Sequence, residues 1–206
     1  MLQKIIPALF AGVLCIKSFS QSGFISGPML GPVELRDAKV WCEPAPDISK
    51  LSIRYWKEGT DKKLAAQKLY KGELGNEFNP VQFSIGGLDI NTTYNYEIEA
   101  ISRLKKIFIK PGKFTTKDLW QWRKPPPDFS FLTGGCAYTN QPEYDRPGRA
   151  YGGGSSIFET MAKEKAAFML WTGDAWYTRE VGYYSEWALW YSASHDRAAP
   201  VIQNFL

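Results

Sequence analysis

The sequence predicts an antiparallel β-sandwich followed by the first, incomplete part of an α/β sandwich. Three observations carry that expectation. Between Ile25 and Thr116, short apolar–polar alternations recur between turn residues. A stretch rich in Trp and Pro, Asp118 to Asp128, then ends the rhythm. Beyond it the order becomes strand, loop, helix, strand, with each strand closing on glycine. The chain is 44% apolar and 15% aromatic over 206 residues, enough for a packed core and incompatible with a disordered, collagenous or coiled-coil chain. Its 25 basic and 21 acidic residues form no basic block, which argues against specific nucleic-acid recognition or an anionic membrane partner.

Residues 1–20 read as an export signal. Lys4 provides the positive start, Ile5 to Ile16 an apolar stretch too short for an ordinary membrane span, and Ser18-Phe19-Ser20 a small-residue cleavage site. Cleavage there leaves a mature chain with no transmembrane span, in the periplasm, at the cell surface or outside the cell. Lys4 and Lys17 leave and no acid does, so the net charge falls from +4 to +2. Cys15 leaves as well, and Cys42 and Cys136 remain. They fall in separate predicted domains, and a bridge between them is not expected.

Residues 25–117 form the predicted sandwich. Lys39 to Cys42 precedes a turn at Pro44 and Pro46. Leu51 to Lys57 alternates with a period of two until Gly59. Val81 to Ile85 and Tyr94 to Ile101 alternate again, and Lys113 to Thr116 closes the series. Lys62 to Leu74 is ambiguous, because Leu64 to Leu69 also fits a helix. In Gly87-Leu88-Asp89-Ile90-Asn91-Thr92-Thr93-Tyr94, a leucine stands six residues before a tyrosine that opens a strand. This resembles the tyrosine corner of fibronectin type III domains, and Val40-Trp41 before Pro44 resembles that family's early core strand. Asn91-Thr92-Thr93 matches an Asn-x-Thr acceptor but reads first as a turn. In the linker, residues 118–128, Pro125 to Pro127 favour an extended connection, and Trp120 and Trp122 are expected to pack on a flanking domain.

Residues 129–206 carry the chemistry. Phe129 to Thr133 is a buried-strand pattern ending in Gly134-Gly135-Cys136, and Ala166 to Trp171 is a second, ending in Thr172-Gly173-Asp174. Between them a polar loop leads to Ser156-Ile157-Phe158-Glu159, a capping-box sequence opening a helix. A right-handed crossover would lay the strands parallel, with Cys136 and Asp174 at the same carboxyl edge, where open α/β sheets place ligands. A carboxylate is a hard ligand able to bridge two cations, whereas a thiolate is soft and suits iron or zinc. Tyr177, three residues beyond Asp174, can reach the same ion as a phenolate. Such a cluster would polarise a phosphoryl oxygen and acidify a bound water.

Thr133 to Cys136, the loop Tyr144 to Gly153, Ile157-Phe158-Glu159 and Leu170-Trp171-Thr172-Gly173-Asp174-Ala175-Trp176-Tyr177 resemble the alkaline phosphatase D (PhoD-like) metallophosphoesterases. The resemblance implies an exported enzyme with a four-layered α/β core, often behind an N-terminal β-sandwich. It further implies iron and calcium as cofactors, and small-molecule or polymeric phosphomonoesters or phosphodiesters as substrates. Carried over residue by residue, it makes Cys136, Asp174 and Tyr177 metal ligands. Arg146 and Arg149, in the loop beyond Cys136, are candidates for bidentate phosphate contacts, against ordinary surface placement. The family's Asp-Asp-His-type segment and later ligands have no counterpart here, so the sequence reads as the N-terminal part of a longer hydrolase, inactive by itself.

Tyr183 to Ser194 reads as a helix whose aromatic stripe packs on the sheet. His195, the single histidine, matches no motif and is expected at an exposed or capping position. Two other functions stay open: a non-catalytic exported binding protein built on the fibronectin-like module, and a thiol enzyme with Cys136 as nucleophile.

Overall fold

The computed structural model describes residues 23–205, so the export signal read over residues 1–20 lies outside the described residues. Seven strands come first: β1 (Phe24–Val33), β2 (Asp37–Pro44), β3 (Ile48–Lys57), β4 (Ala66–Leu69), β5 (Val81–Gly86), β6 (Thr93–Ser102) and β7 (Ile107–Thr115). They form two antiparallel sheets, ordered β1-β2-β5 and β4-β3-β6-β7. The period-two pattern fixes which side chains turn inward. In β6 every second residue is buried, from Tyr94 to Ser102. Val40, Val81, Phe83 and Ile85 of one sheet meet Ile53, Ile98, Ala100 and Phe114 of the other in a single core.

The expected tyrosine corner is present. The Tyr94 hydroxyl accepts the Asp89 N–H at 3.0 Å, and Tyr94 and Leu88 are both buried. Asn91 adopts a left-handed φ of +47°, as its turn reading requires. The ambiguous stretch divides into a 3-10 turn, Lys62–Leu64, and the edge strand β4, which pairs with β3. The linker makes a turn ahead of its three prolines, which themselves carry neither turn nor helix. Trp120 C=O accepts the N–H groups of Arg123 and Lys124, which closes a turn. Trp122, at its tip with φ +63°, points wholly into solvent rather than packing on either side.

Beyond the linker, β8 (Phe131–Gly134) and β9 (Phe168–Trp171) pair in parallel, from Phe131 opposite Phe168 to Gly134 opposite Trp171. The connection between them contains a 3-10 turn (Tyr151–Ser155) and α1 (Ile157–Met161). Two expectations are corrected. The capping box does not form, because the 3-10 turn runs directly into α1 and Ser156 already has helical angles, with no side-chain cap bond. The strands are not buried either. Phe131 and Phe168 stack at 5.4 Å and stay half exposed, since the two-stranded sheet lacks a covering layer among the described residues. A complete α/β sandwich is therefore not shown; beyond the linker the described residues hold the two-stranded parallel sheet and short helices.

Helices α2 (Glu186–Ala198) and α3 (Pro200–Phe205) finish the chain. The Ser185 side chain caps α2 by accepting the Ala188 N–H. The helix docks on the β-sandwich, and its small and polar face does so: Ser192, Ala193, Ser194 and Asp196 are its buried residues. The aromatic stripe does not become core, because Tyr183, Tyr184, Trp187 and Trp190 remain exposed. Sequence periodicity identifies a face of a helix but not which neighbour covers it. Trp187 still helps the docking, donating its indole N–H to Glu77 at 2.7 Å and meeting Phe78 edge-on. Gln203 of α3 accepts the Gly27 N–H at 2.9 Å. Among the described residues, no helix is long and apolar enough to cross a membrane.

At the centre of this contact, the Ser194 hydroxyl donates to Glu43 at 2.7 Å, and Arg197 lies over the Trp41 ring. Burial pushes the Glu43 carboxyl above its ordinary range, and the Ser194 bond and the Arg197 charge only partly offset that rise. A raised folded-state pKa favours the protonated carboxyl, so this contribution to stability is lost as pH rises through the raised value. Glu43→Gln keeps an acceptor for Ser194 and removes the buried charge. Its melting temperature is expected to exceed that of the unaltered protein near pH 8, the gap closing towards about pH 4, at the foot of the ordinary carboxylate range. Parallel thermal scans of both proteins would expose a constant gap, which contradicts the assignment.

Candidate metal centre

The two parallel strands bring their carboxyl ends together. Past the last paired residues, Gly134 C=O accepts the Thr172 N–H at 2.8 Å, and Asp174 C=O accepts the Ala137 N–H at 2.9 Å. Glycine matters at two positions. A Cβ on Gly135 would come within 3.0 Å of the Gly173 carbonyl oxygen, and Gly173 has φ +132°. The loops can therefore lie backbone to backbone. Cys136 and Asp174 both adopt left-handed φ values, +57° and +46°. Non-glycine residues held there cost on the order of 1 kcal/mol each, and such strain concentrates at functional positions.

The side chains then converge on one atom. The Cys136 thiol donates to Asp174 Oδ2 at 3.7 Å, and the Tyr177 hydroxyl donates to the same oxygen at 2.8 Å. All three expected ligands thus meet in one place. Asp174 has no basic side chain among its hydrogen-bond and ion-pair partners in the described residues. Hydrogen bonding to Cys136 and Asp174 holds the Tyr177 phenol well above its usual range, with desolvation and the neighbouring negative charge adding to the rise. A cation would reverse that balance by displacing the thiol and phenol protons.

The donor set, one sulfur with carboxylate and phenol oxygens, fits a transition-metal ion such as iron, for which thiolate is a natural ligand. It does not by itself fit calcium, which takes six to eight oxygens. Asp174 Oδ1 has no hydrogen-bond partner among the described residues, and the side-chain contacts to this carboxylate fall on Oδ2. Among the described residues no three His, Cys, Asp or Glu side chains group together, so the third donor atom of this cluster is the Tyr177 phenol oxygen.

Cys42 and Cys136 are both free, Cys42 buried in the sandwich and Cys136 exposed. Burial pushes the Cys42 thiol up to about 12, the adjacent Glu43 adding to the effect, and leaves it inert. No histidine reaches Cys136. His195 is half-buried in the last turn of α2, with Nδ1 3.0 Å from the Gln141 amide and 3.2 Å from Asp196 Oδ1. Arg146 and Arg149 stand exposed in the loop, with no hydrogen bond or ion pair among the described residues. The residue of that loop which is tied to the centre is their neighbour Asp145.

The sequence reading missed the support beneath the cluster. Arg179 is buried, and its side chain joins elements on three sides. It lies 3.4 Å from Asp145, donates to the Tyr177 carbonyl at 3.1 Å and to the Thr139 carbonyl, and approaches Asp196 of α2 at 4.0 Å. Its guanidinium also covers the Tyr138 ring at 4.6 Å. Burial opposes ionisation of Asp145, but the Tyr138 hydroxyl, the Gln141 N–H and Arg179 outweigh it and hold the carboxyl below its ordinary range. A buried guanidinium neutralised from separate elements leaves no local sequence pattern to find.

No family model matches the chain. No curated protein matches it either. Among solved structures, that of PhoD aligns over 91% of this chain with a TM-score of 0.60 and 17% identity. The likeness extends the shared fold across both the sandwich and the segment after the linker. This chain spans 37% of the length of that structure. The FN1–FN3 domains of chicken CNTN1 align over 45% of this chain and 30% of theirs, with a TM-score of 0.37 and 14% identity. A structure described as a myokine aligns over 47% of this chain and 97% of its own, with a TM-score of 0.37 and 15% identity.

Proposed function

We propose that this segment belongs to an exported metal-dependent phosphoester hydrolase of the alkaline phosphatase D type, acting on phosphomonoesters or phosphodiesters. The observation that carries the reading is the meeting of the Cys136 thiol and the Tyr177 hydroxyl on Asp174 Oδ2 at the ends of two parallel strands. In this reading Cys136, Asp174 and Tyr177 would hold iron, and Asp174 would also be a ligand to calcium. The metals supply Lewis acidity towards a phosphoryl oxygen and acidify a bound water. The protein's own residues fix the ligands: tight glycine turns aim them, and the Ala137–Asp174 backbone bond sets their separation. Arg146 and Arg149 face solvent and are free to meet substrate phosphate.

Tyr177→Phe tests the ligand assignment directly. Adding ferric iron to the protein is expected to produce a visible phenolate-to-iron charge-transfer band, and the variant is expected to lack it while retaining its fold. An identical band in both proteins would sink tyrosine ligation.

A second reading, a non-catalytic exported binding protein built on the sandwich, has one observation in its favour. No set of three His, Cys, Asp or Glu side chains assembles among the described residues. Absence of any iron binding by the native protein would favour it over the hydrolase.

A further inference from the structure

We propose that Arg179 is a positioning residue that clamps together the two loops presenting Cys136 and Tyr177. The inference rests on the metal-centre reading for its purpose but not for its geometry. The planar guanidinium has its nitrogens committed to different elements. Nη2 donates to the Thr139 carbonyl, three residues beyond Cys136, and Nη1 donates to the Tyr177 carbonyl at 3.1 Å. Nε faces Asp145 Oδ1 at 3.4 Å, and Asp145 in turn accepts the Tyr138 hydroxyl and the Gln141 N–H. Asp196 of α2 lies 4.0 Å from Nη1 on the remaining side. Both Arg179 and Asp145 are almost fully buried, so the clamp is shielded from water and from salt.

The strand ladder by itself cannot do this work. The last paired residues are Gly134 and Trp171, and everything that carries a ligand lies beyond them. Past that point the loops are joined near the cluster by the Cys136–Asp174 side-chain contact, the Ala137–Asp174 backbone bond, the Tyr138–Tyr177 ring contact and the Arg179 fork, and of these the fork alone brings a positively charged group. A lysine can replace the charge but not the fork, since one ammonium cannot reach three acceptors in a fixed plane.

Amide hydrogen exchange on the metal-free protein tests the clamp, using Arg179→Met, Arg179→Lys and Asp145→Asn. Protection of the Ala137 amide is expected to fall by about 10-fold or more in Arg179→Met, with smaller losses in the other two. The Thr172 amide, bonded to Gly134 directly after the ladder, and the Asp89 amide, at the tyrosine corner, are expected to keep theirs. Unchanged protection at Ala137 would overturn the proposal. So would an equal loss at Thr172, which marks general destabilisation of the segment; if Arg179→Met does not fold, the same comparison is decided by Arg179→Lys and Asp145→Asn. In a second arm, ferric iron affinity is expected to fall about 10- to 100-fold in Arg179→Met, as it does when outer partners of metal ligands are removed. A native protein that binds no iron would refute the metal-centre reading and leave the exchange result to judge the clamp.

Discussion

Asp174→Asn is expected to remove iron and to lower phosphoesterase activity by about a thousandfold or more in the longest natural chain carrying this segment. The size follows from the role proposed for the cation: several kcal/mol of transition-state stabilisation would be lost with it, at about 1.36 kcal/mol per tenfold. The substitution is otherwise mild. Asn tolerates the left-handed backbone that Asp174 adopts, and its amide oxygen can still accept the Tyr177 hydroxyl. Asp174 is exposed, so stability is expected to change by only about 0.5 kcal/mol. Metal content and turnover of chromogenic mono- and diester substrates, read beside a thermal melt, separate lost chemistry from lost folding. An unaltered rate with a full metal complement would refute the bridging role.

Ile98→Ala is expected to have the largest effect on stability, about 2–5 kcal/mol. Ile98 sits at the centre of β6, opposite Ile53 of β3, and both are fully buried. Truncation removes transferred apolar surface and leaves a cavity that two flanking strands cannot easily close. For a domain of this size each kcal/mol shifts the melting temperature by roughly 4–8 °C, so a fall of more than about 8 °C is expected. Denaturant unfolding of both proteins measures it, and a loss below about 1 kcal/mol would show that the core lies elsewhere.

The parts of the fold legible in the sequence were those where one local pattern has one physical outcome. β6 alternates without a break, and its side chains alternate between core and surface accordingly. Leu88 and Tyr94 are spaced for a corner that needs only one hydroxyl and one backbone N–H. β1 was hidden because Pro28, Gly31 and Pro32 interrupt its alternation, and its pairing with β2 shifts register repeatedly. β4 is exposed at all four positions and resembles helix until β3 supplies its hydrogen bonds. At the site, the strand–helix–strand order was enough to predict that Cys136 and Asp174 would meet. Arg179 could not be predicted, since its three kinds of partner lie 2 to 40 residues away in sequence. Trp122 and the aromatic face of α2 were misplaced for a related reason: apolar character says that a side chain gains from cover, not that cover is present.

Iron-edge X-ray absorption on the iron-loaded protein tests the central claim most directly. One sulfur neighbour is expected, at close to the ~2.3 Å typical of metal–thiolate bonds, alongside oxygen neighbours, and Cys136→Ser is expected to abolish the sulfur signal. Iron surrounded by oxygen and nitrogen alone, with an identical spectrum in Cys136→Ser, would contradict it.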